Sequence, residues 1–226
     1  IGFLNAWCRM RLKKTILTLL FLSSCLVTLT RVNAQVYDFV IHDRESGIAG
    51  IKINDIAQDR LGYLWIATNS GLSRFDGKTF VNYLEKDGLS ENNCTSVFCG
   101  TDGRVWVGHQ ATGLSVIKDR TIQNISETEG LANNEVHDIF QSKDGKMWVA
   151  TFGGVSVLEN EQWSVLTTAE GLTSNNVQVI SEDTEGRMWF GTYGTGIIIL
   201  HNGGMQQVHQ GNGLVNNYVT SLVPVN

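Results

Sequence analysis

The stretch Glu170–Gly196, with the sequence EGLTSNNVQVISEDTEGRMWFGTYGTG, holds the pattern that decides the fold. It reads as an apolar strand, an acidic turn, a second strand with one tryptophan, and a glycine-rich loop. The pattern returns at intervals of 41, 42 and 41 residues, which are marked by Trp65, Trp106, Trp148 and Trp189. Self-similarity at a fixed period of this length is typical of a repeat architecture, so Glu170–Gly196 is one copy of a repeated unit.

Two columns of the aligned copies are apolar or small throughout. They lie twelve and nine residues before the tryptophan. Their members are Ile53, Cys94, Val136 and Val177 in the first column, and Ile56, Val97, Ile139 and Ile180 in the second. Because the columns are three residues apart, a regular strand points them to opposite faces, so the first strand of each copy is expected to be packed on both sides.

Each copy divides into four short strands, which are separated by turns such as Asp-Gly and Asn-Gly that suit tight hairpins. In the fourth copy the predicted strands are 176–182, 187–192, 196–201 and 205–209. The predicted fold class is therefore all-β, a β-propeller of four-stranded antiparallel blades, and the chain is a fragment of a ring of about seven. The predicted blades are 47–87, 88–129, 130–170 and 171–212, with the start of a fifth at 213–226.

Composition and motifs exclude several function classes. The net charge is −5, the pI is near 5.5, and no Lys/Arg cluster occurs after residue 34, so no nucleic-acid surface is predicted. No catalytic motif or metal-ligand spacing occurs either, so the chain is predicted to be no enzyme and to need no cofactor or metal. Cys94 and Cys99 are expected to be separate core residues, because five residues of strand span about 16 Å, which is beyond disulfide reach.

The first 34 residues follow a different pattern from the repeats. Residues 1–9 precede a suitable initiator, Met10, and are interpreted as an upstream or mis-annotated extension. A basic start, an apolar stretch and a small-residue end at Ala34 predict a signal peptide over 10–34, which leaves 35–226 as an exported partial propeller. The alternative is a lipoprotein in which Cys25 is lipidated.

Two segments carry a resemblance to a known family. GLTSNNVQVISEDTEGRMWFGTYGTGI and GLANNEVHDIFQSKDGKMWVATFGGV follow the pattern GL..N.V..I..D..G.lW.gT..GGl. This pattern resembles the two-component regulator propeller repeat, and the resemblance covers residues 35–226. It implies the periplasmic sensor region of a hybrid two-component histidine kinase of the Bacteroidetes type, a class that often detects poly- or oligosaccharides.

The resemblance also implies partners outside this segment. They are further blades, an immunoglobulin-like domain, a transmembrane helix and the kinase, which together would anchor the chain on the periplasmic side of the inner membrane. The alternative is a secreted or periplasmic propeller that binds or scaffolds without signalling. An open arc of blades would leave two apolar faces uncovered, which predicts self-association, for instance as a homodimer.

Loop lengths indicate where a ligand would bind. The distance from each tryptophan to the glycine that ends the second loop alternates between six and seven residues, whereas the first hairpin has a constant length. Variable loops on a constant scaffold are candidates for binding. The predicted ligand contacts are Asn69, Ser70, His109, Gln110, Thr112, Phe152, Tyr193 and Thr195, of which the aromatic rings suit a sugar.

Two other columns are expected to be structural. An asparagine recurs at Asn92, Asn134, Asn175 and Asn217, and a residue repeated in every copy is better explained by a bond to its own loop backbone than by a ligand. The four tryptophans, one at a fixed strand position in each blade, are expected to be packing residues for the same reason.

Overall fold

A computed structural model describes residues 40–223, and the residues from His42 onward form one compact unit. This unit contains four sheets, and each sheet has four antiparallel strands in sequence order. The strands of the first two sheets are β1 (Ile53–Gln58), β2 (Leu64–Thr68), β3 (Gly71–Phe75), β4 (Phe80–Tyr83), β5 (Cys94–Cys99), β6 (Val105–His109), β7 (Leu114–Lys118) and β8 (Thr121–Ile125). The strands of the last two are β9 (Val136–Gln141), β10 (Met147–Thr151), β11 (Gly154–Glu159), β12 (Gln162–Leu166), β13 (Val177–Glu182), β14 (Met188–Thr192), β15 (Ile197–His201) and β16 (Gly204–Val208).

The fold class predicted from the repeat is confirmed. The four sheets are propeller blades, and the strands predicted for the fourth copy agree with β13 to β16 to within one residue at every end. Residues 213–223 form only an isolated bridge between Tyr193 and Tyr218. The number of blades in a complete ring stays a prediction.

Apolar clusters lie between successive blades. The first strands β1, β5, β9 and β13 stand next to one another, and one cluster fills each of the three blade interfaces. In the first interface, Trp65 and Leu72 of one blade pack against Cys94 and Val97 of the next. Burying a side chain of this size stabilises the fold by about 1.5–3 kcal/mol, so the blades are held together mainly by these interfaces.

The first strand of each blade contains an irregularity that changes which way its residues point. Its register against the second strand shifts near its start, for example between Cys94 and Ser96. This β-bulge brings Cys94 and Val97 to the same side, where both contact the preceding blade. The prediction that the two apolar columns face opposite sides is wrong, because the bulge shifts the alternation of side chains by one residue.

The first blade shows the same apolar surface without a cover. Ile53 and Ile56 are 48% and 53% exposed, whereas their counterparts Cys94 and Val97 are 0% and 4% exposed. The difference arises because the part of the chain that the structure describes places no blade before β1. An apolar face of this kind favours association with another blade.

Several predictions concern other parts of the chain. The extension 1–9, the signal peptide 10–34 and the alternative lipidation site Cys25 lie outside the described residues. No helix within residues 40–223 has the length and apolarity to cross a membrane. Cys94 and Cys99 are free thiols, and burial raises the pKa of both to about 12.

Candidate functional site

The loops between the second and third strands lie at the same end of the unit as the connections between blades. In each of these loops one backbone N–H, four residues after the tryptophan, donates to the carbonyl of a residue just before the first strand of the same blade. These bonds run from Asn69 to Lys52 (3.2 Å), Gln110 to Asn93 (3.3 Å), Phe152 to Glu135 (3.1 Å) and Tyr193 to Asn176 (3.0 Å). We call this end of the unit, formed by the second-to-third-strand loops and the blade connections, the loop rim.

The predicted ligand contacts differ in how accessible they are at the loop rim. Asn69, Gln110, Phe152 and Tyr193 are exposed, while Ser70, Thr112 and Thr195 are half-buried. The half-buried hydroxyls already have partners: Thr112 Oγ1 donates to Ser90 Oγ at 2.9 Å, and the Thr195 hydroxyl lies 2.8 Å from that of Thr192. The side chains that are most accessible to a ligand are therefore the exposed ones, one in each blade.

His109 was predicted to be a loop residue, and this prediction is wrong. It is the last residue of β6 and is 0% exposed, so it cannot reach a ligand. Its Nε2 lies 2.9 Å from Ser115 Oγ, Nδ1 has no partner, and burial lowers the pKa of the imidazole to about 4. The sequence signal for this burial is the repeat position of His109, three residues after the tryptophan. The three other blades hold a buried threonine there: Thr68, Thr151 and Thr192.

Tyr218 is a rim residue that the sequence did not single out. Its ring centroid lies 4.6 Å from that of Tyr193, and both side chains are more than half exposed, at 56% and 57%. In the repeat, Tyr218 aligns with Glu135, and the Tyr193–Tyr218 pair is equivalent to the hydrogen bond from Gln110 Nε2 to Glu135 Oε1 (3.0 Å). The two tyrosines are distant in the sequence, and they meet because the blade connection that carries Tyr218 packs on the loop that carries Tyr193.

A cluster of hydrogen-bonded polar side chains lies on the rim between the third and fourth blades. His137 Nε2 lies 3.2 Å from Glu135 Oε1, and its Nδ1 lies 2.7 Å from the carbonyl oxygen of Val177 in the next blade. Gln178 Nε2 donates to Asn176 Oδ1 at 2.6 Å. Within residues 40–223, no cluster of three or more His, Cys, Asp or Glu is arranged to hold a metal ion.

The recurring asparagines bond to loop backbone seven residues earlier in the chain. Their Oδ1 atoms accept from the N–H groups of Glu85, Glu127, Thr168 and Gln210, at 2.8–2.9 Å, in the order Asn92, Asn134, Asn175 and Asn217. Each bond closes the turn that links the last strand of one blade to the next blade. The first copy has Ile51 in this column and lacks the bond.

Trp65, Trp106 and Trp148 pack in the clusters between blades, and Nε1 has an equivalent partner in three of the four blades. The residue six positions earlier accepts from Nε1, as Ser142 does for Trp148 at 2.9 Å and as Asp59 and Asp183 do in their own blades at 2.8 Å. In the second blade this position is Gly100, and Trp106 Nε1 is buried without a partner. The column therefore serves the scaffold of the site.

Carboxylates join some blades across their first strands. Asp138 accepts from its neighbour, the N–H of Ile139, and from the N–H of Ile180 in the next blade, both at 2.8 Å. Asp55 makes the equivalent bond to Val97 at 2.8 Å, whereas Ser96 in the second blade has a buried hydroxyl without a partner. Burial raises the pKa of Asp138 to about 6, against the effect of the two N–H donors, which favour the carboxylate.

Comparisons with solved structures identify the fold. The chain is 22% identical, at a TM-score of 0.69, to the extracellular domain of a protein assigned as a hybrid two component system from B. thetaiotaomicron, with 76% of this chain and 26% of that chain covered. It is 16% identical, at 0.63, to PorZ, a surface component of the type-IX secretion system of Porphyromonas gingivalis (83% and 32% covered). It is 13% identical, at 0.55, to virginiamycin B lyase from Staphylococcus aureus (69% and 55% covered).

An extracellular domain of a two component system, a secretion component and an enzyme thus share this architecture, so the structural likeness shows the fold and does not choose a function. The chain spans about a quarter of the length of the two component system domain. No curated protein matches the sequence.

The sequence comparison is more specific than the structural one. The profile of the family described as two component regulator propeller matches residues 47–70, 130–153 and 171–194. Each match runs from the blade connection, through the first hairpin, to the loop after the second strand. The first, third and fourth blades thus each contain a segment that matches the two component regulator propeller repeat.

Proposed function

We propose that this chain is the periplasmic ligand-sensing propeller segment of a membrane-bound, hybrid two-component sensor histidine kinase. The observation that carries the proposal is the threefold match to the two component regulator propeller profile, since each match covers segments that build the loop rim. On this proposal the chain is exported, and the rest of the receptor supplies further blades, an immunoglobulin-like domain, a membrane anchor and the kinase.

The proposed action is binding. A ligand that prefers one of two arrangements of the receptor shifts their populations, and the kinase output follows. The proposed ligand is an oligosaccharide, because the exposed side chains of the loop rim combine aromatic rings at Phe152 and Tyr193 with amides at Asn69 and Gln110. Aromatic rings can stack on the CH faces of a sugar, while amides bond to its hydroxyl groups.

The alternative function is a secreted or periplasmic propeller that binds or scaffolds without signalling. The uncovered face at Ile53 and Ile56 favours association with another blade or chain, including a second copy, and this is compatible with either function.

The test is to read the gene beyond the codon for Asn226 and to locate the product in the cell. An in-frame transmembrane helix and histidine kinase, together with retention of the product in the inner membrane after an alkaline wash, is the expected result. A stop codon that follows further blades without a membrane helix, with the product in the soluble periplasmic or secreted fraction, would exclude the sensor and support the scaffold.

A further inference from the structure

We propose that the ligand site is a strip of three aromatic residues on the loop rim, Phe152, Tyr193 and Tyr218, and that it takes an uncharged oligosaccharide in preference to an acidic one. This inference rests on the proposed function for the idea that the rim binds an oligosaccharide. It adds the position of the site and the charge class of its ligand.

The tyrosines are exposed but held in place. The N–H of Tyr193 donates to the carbonyl of Asn176 at 3.0 Å, and the N–H of Val219 donates to Thr192 at 3.0 Å. Together with the bridge between Tyr193 and Tyr218, these bonds fix the backbone on either side of the two rings. A loop backbone that is already fixed loses little conformational entropy when a ligand binds, which favours affinity.

The repeat places the third ring one blade before this pair. Phe152 occupies the column of Tyr193 in the preceding blade and is 53% exposed. Gln110 pairs with Glu135 of the following blade, and Tyr193 pairs with Tyr218. By the repeat, Asn176 is the equivalent partner of Phe152 and stands between it and Tyr193. In the second blade Gln110 replaces the ring and bonds to Glu135 at 3.0 Å, so the strip begins at the third blade.

Amide groups accompany the rings. Asn176 and Gln178 are half-buried at the start of the fourth blade and bond to each other at 2.6 Å. Each side-chain amide has both donor and acceptor sites, so the pair retains capacity for the hydroxyl groups of a sugar. Rings that take the apolar faces and amides that take the hydroxyls are the combination a saccharide requires.

From the second blade onward, charge separates the loop rim from the opposite end of the blades, whereas the first blade carries Lys52 and Lys86 on its rim side. Between residues 88 and 223 the loop rim carries no lysine or arginine. The basic residues of this part of the chain lie in or beside the hairpins at the other end: Arg104, Lys118, Arg120, Lys143, Lys146 and Arg187. A sulfated or uronic-acid sugar therefore finds no cationic side chain from Lys or Arg at the strip.

The acidic residues of the rim have their own partners. In the same range they are Glu91, Glu127, Glu129, Glu135 and Glu170. Each accepts at least one hydrogen bond within the rim, mostly from loop backbone N–H groups, as when Glu91 Oε2 accepts from the N–H of Ala111 at 2.9 Å. These carboxylates repel an anionic ligand and are already committed to their loops, so the uncharged class is favoured.

The experiment measures binding of six defined probes to the full chain by calorimetry. Three are neutral hexasaccharides, of glucose, xylose and mannose, and three are acidic, from heparin, polygalacturonate and alginate. At least one neutral probe is expected to bind, and the Tyr193→Ala and Tyr218→Ala variants are each expected to weaken that binding about 10-fold or more, while Tyr193→Trp retains it. Leu61→Ala is the matched control, because Leu61 is an exposed apolar residue in a hairpin at the opposite end.

Three results would overturn the inference, provided that the variants melt like the wild type. If a neutral probe binds equally well to both alanine variants, the strip is not the site, although the oligosaccharide remains a ligand. Binding of acidic probes alone refutes the charge class. If none of the six probes binds, the site and its ligand class are both refuted, while the gene and membrane test still decides separately whether the chain belongs to a sensor kinase.

Discussion

Acidification from pH 7 to pH 4.5 is expected to lower the free energy of unfolding through protonation of His109. The substitution His109→Thr should remove this loss. Ser115 has one hydroxyl proton, which it donates to Asn124 Oδ1 at 2.7 Å, so Ser115 accepts from His109 Nε2. The proton added by acid must go to Nδ1, which is buried without a partner. Protonation is therefore opposed in the folded state and free in the unfolded chain.

The size of the effect follows from the two pKa values of His109. In the folded state the pKa is lowered from the ordinary 6.5 to about 4. A lowered pKa contributes stability that is present above pH 6.5 and is lost as the pH falls toward 4, because the unfolded state binds the proton first. At pH 4.5 the linkage relation gives a loss of about 2.5 kcal/mol relative to pH 7.

Threonine is the natural replacement, because it occupies this column in the other blades. There its hydroxyl donates to the carbonyl of the glycine that ends the loop between the second and third strands, as Thr68 does to Gly71 at 2.7 Å. The smaller side chain leaves a cavity, so the variant is expected to be less stable than the wild type at pH 7. The test lies in the pH dependence, which this offset leaves unchanged.

The assay is urea denaturation, followed by tryptophan fluorescence, of the wild type, His109→Thr and the exposed-histidine control His201→Thr. The wild type and the control are expected to lose about 2.5 kcal/mol more than His109→Thr between pH 7 and pH 4.5. Other titrating groups are common to all three proteins and cancel in the comparison. Equal losses in the wild type and in His109→Thr would refute the reasoning.

Three more outcomes are expected in the same assay. Gly100→Ser gives Trp106 Nε1 a hydroxyl partner, as Ser142 does for Trp148, and should raise the unfolding free energy by less than about 1 kcal/mol, because the new Cβ lies 2.9 Å from Asp102 Oδ1 and that side chain must shift; an unchanged or lower value contradicts this. Asn134→Ala removes the acceptor for the N–H of Glu127 and should lower it by about 1 kcal/mol, and a neutral result would show that the turn needs no such bond. The pKa of Asp138 is raised in the folded state. The protonated side chain therefore contributes to the unfolding free energy below pH 4, and this contribution is lost as the pH rises through about 6. On acidification to pH 4.5, Asp138→Asn should lose about 2 kcal/mol more than the wild type, and a parallel pH dependence would contradict this.

The scaffold of the site could be predicted from the sequence because its interactions are short-range or repeated. The bond that Asn134 makes lies within seven residues, and one asparagine per copy indicates it. The loop-length pattern does not show where the second strand ends, so it includes His109, the last residue of β6, although the equivalent threonines mark a buried position. The bulge at the start of each first strand left no signal, since it depends on how the strand pairs with its neighbour.

The sequence by itself determined the four-stranded blade and the number of described copies, because a 41- or 42-residue period imposes the same hairpins each time. It also determined at which end of the blades the variable loops lie. Only the tertiary structure decided which of the variable side chains remain accessible. Tyr193 meets Tyr218, 25 residues away, and Asp138 reaches Ile180, 42 residues away, because blade stacking brings distant segments together. Such contacts depend on register and on the packing of whole sheets, and a local pattern of residues does not contain either.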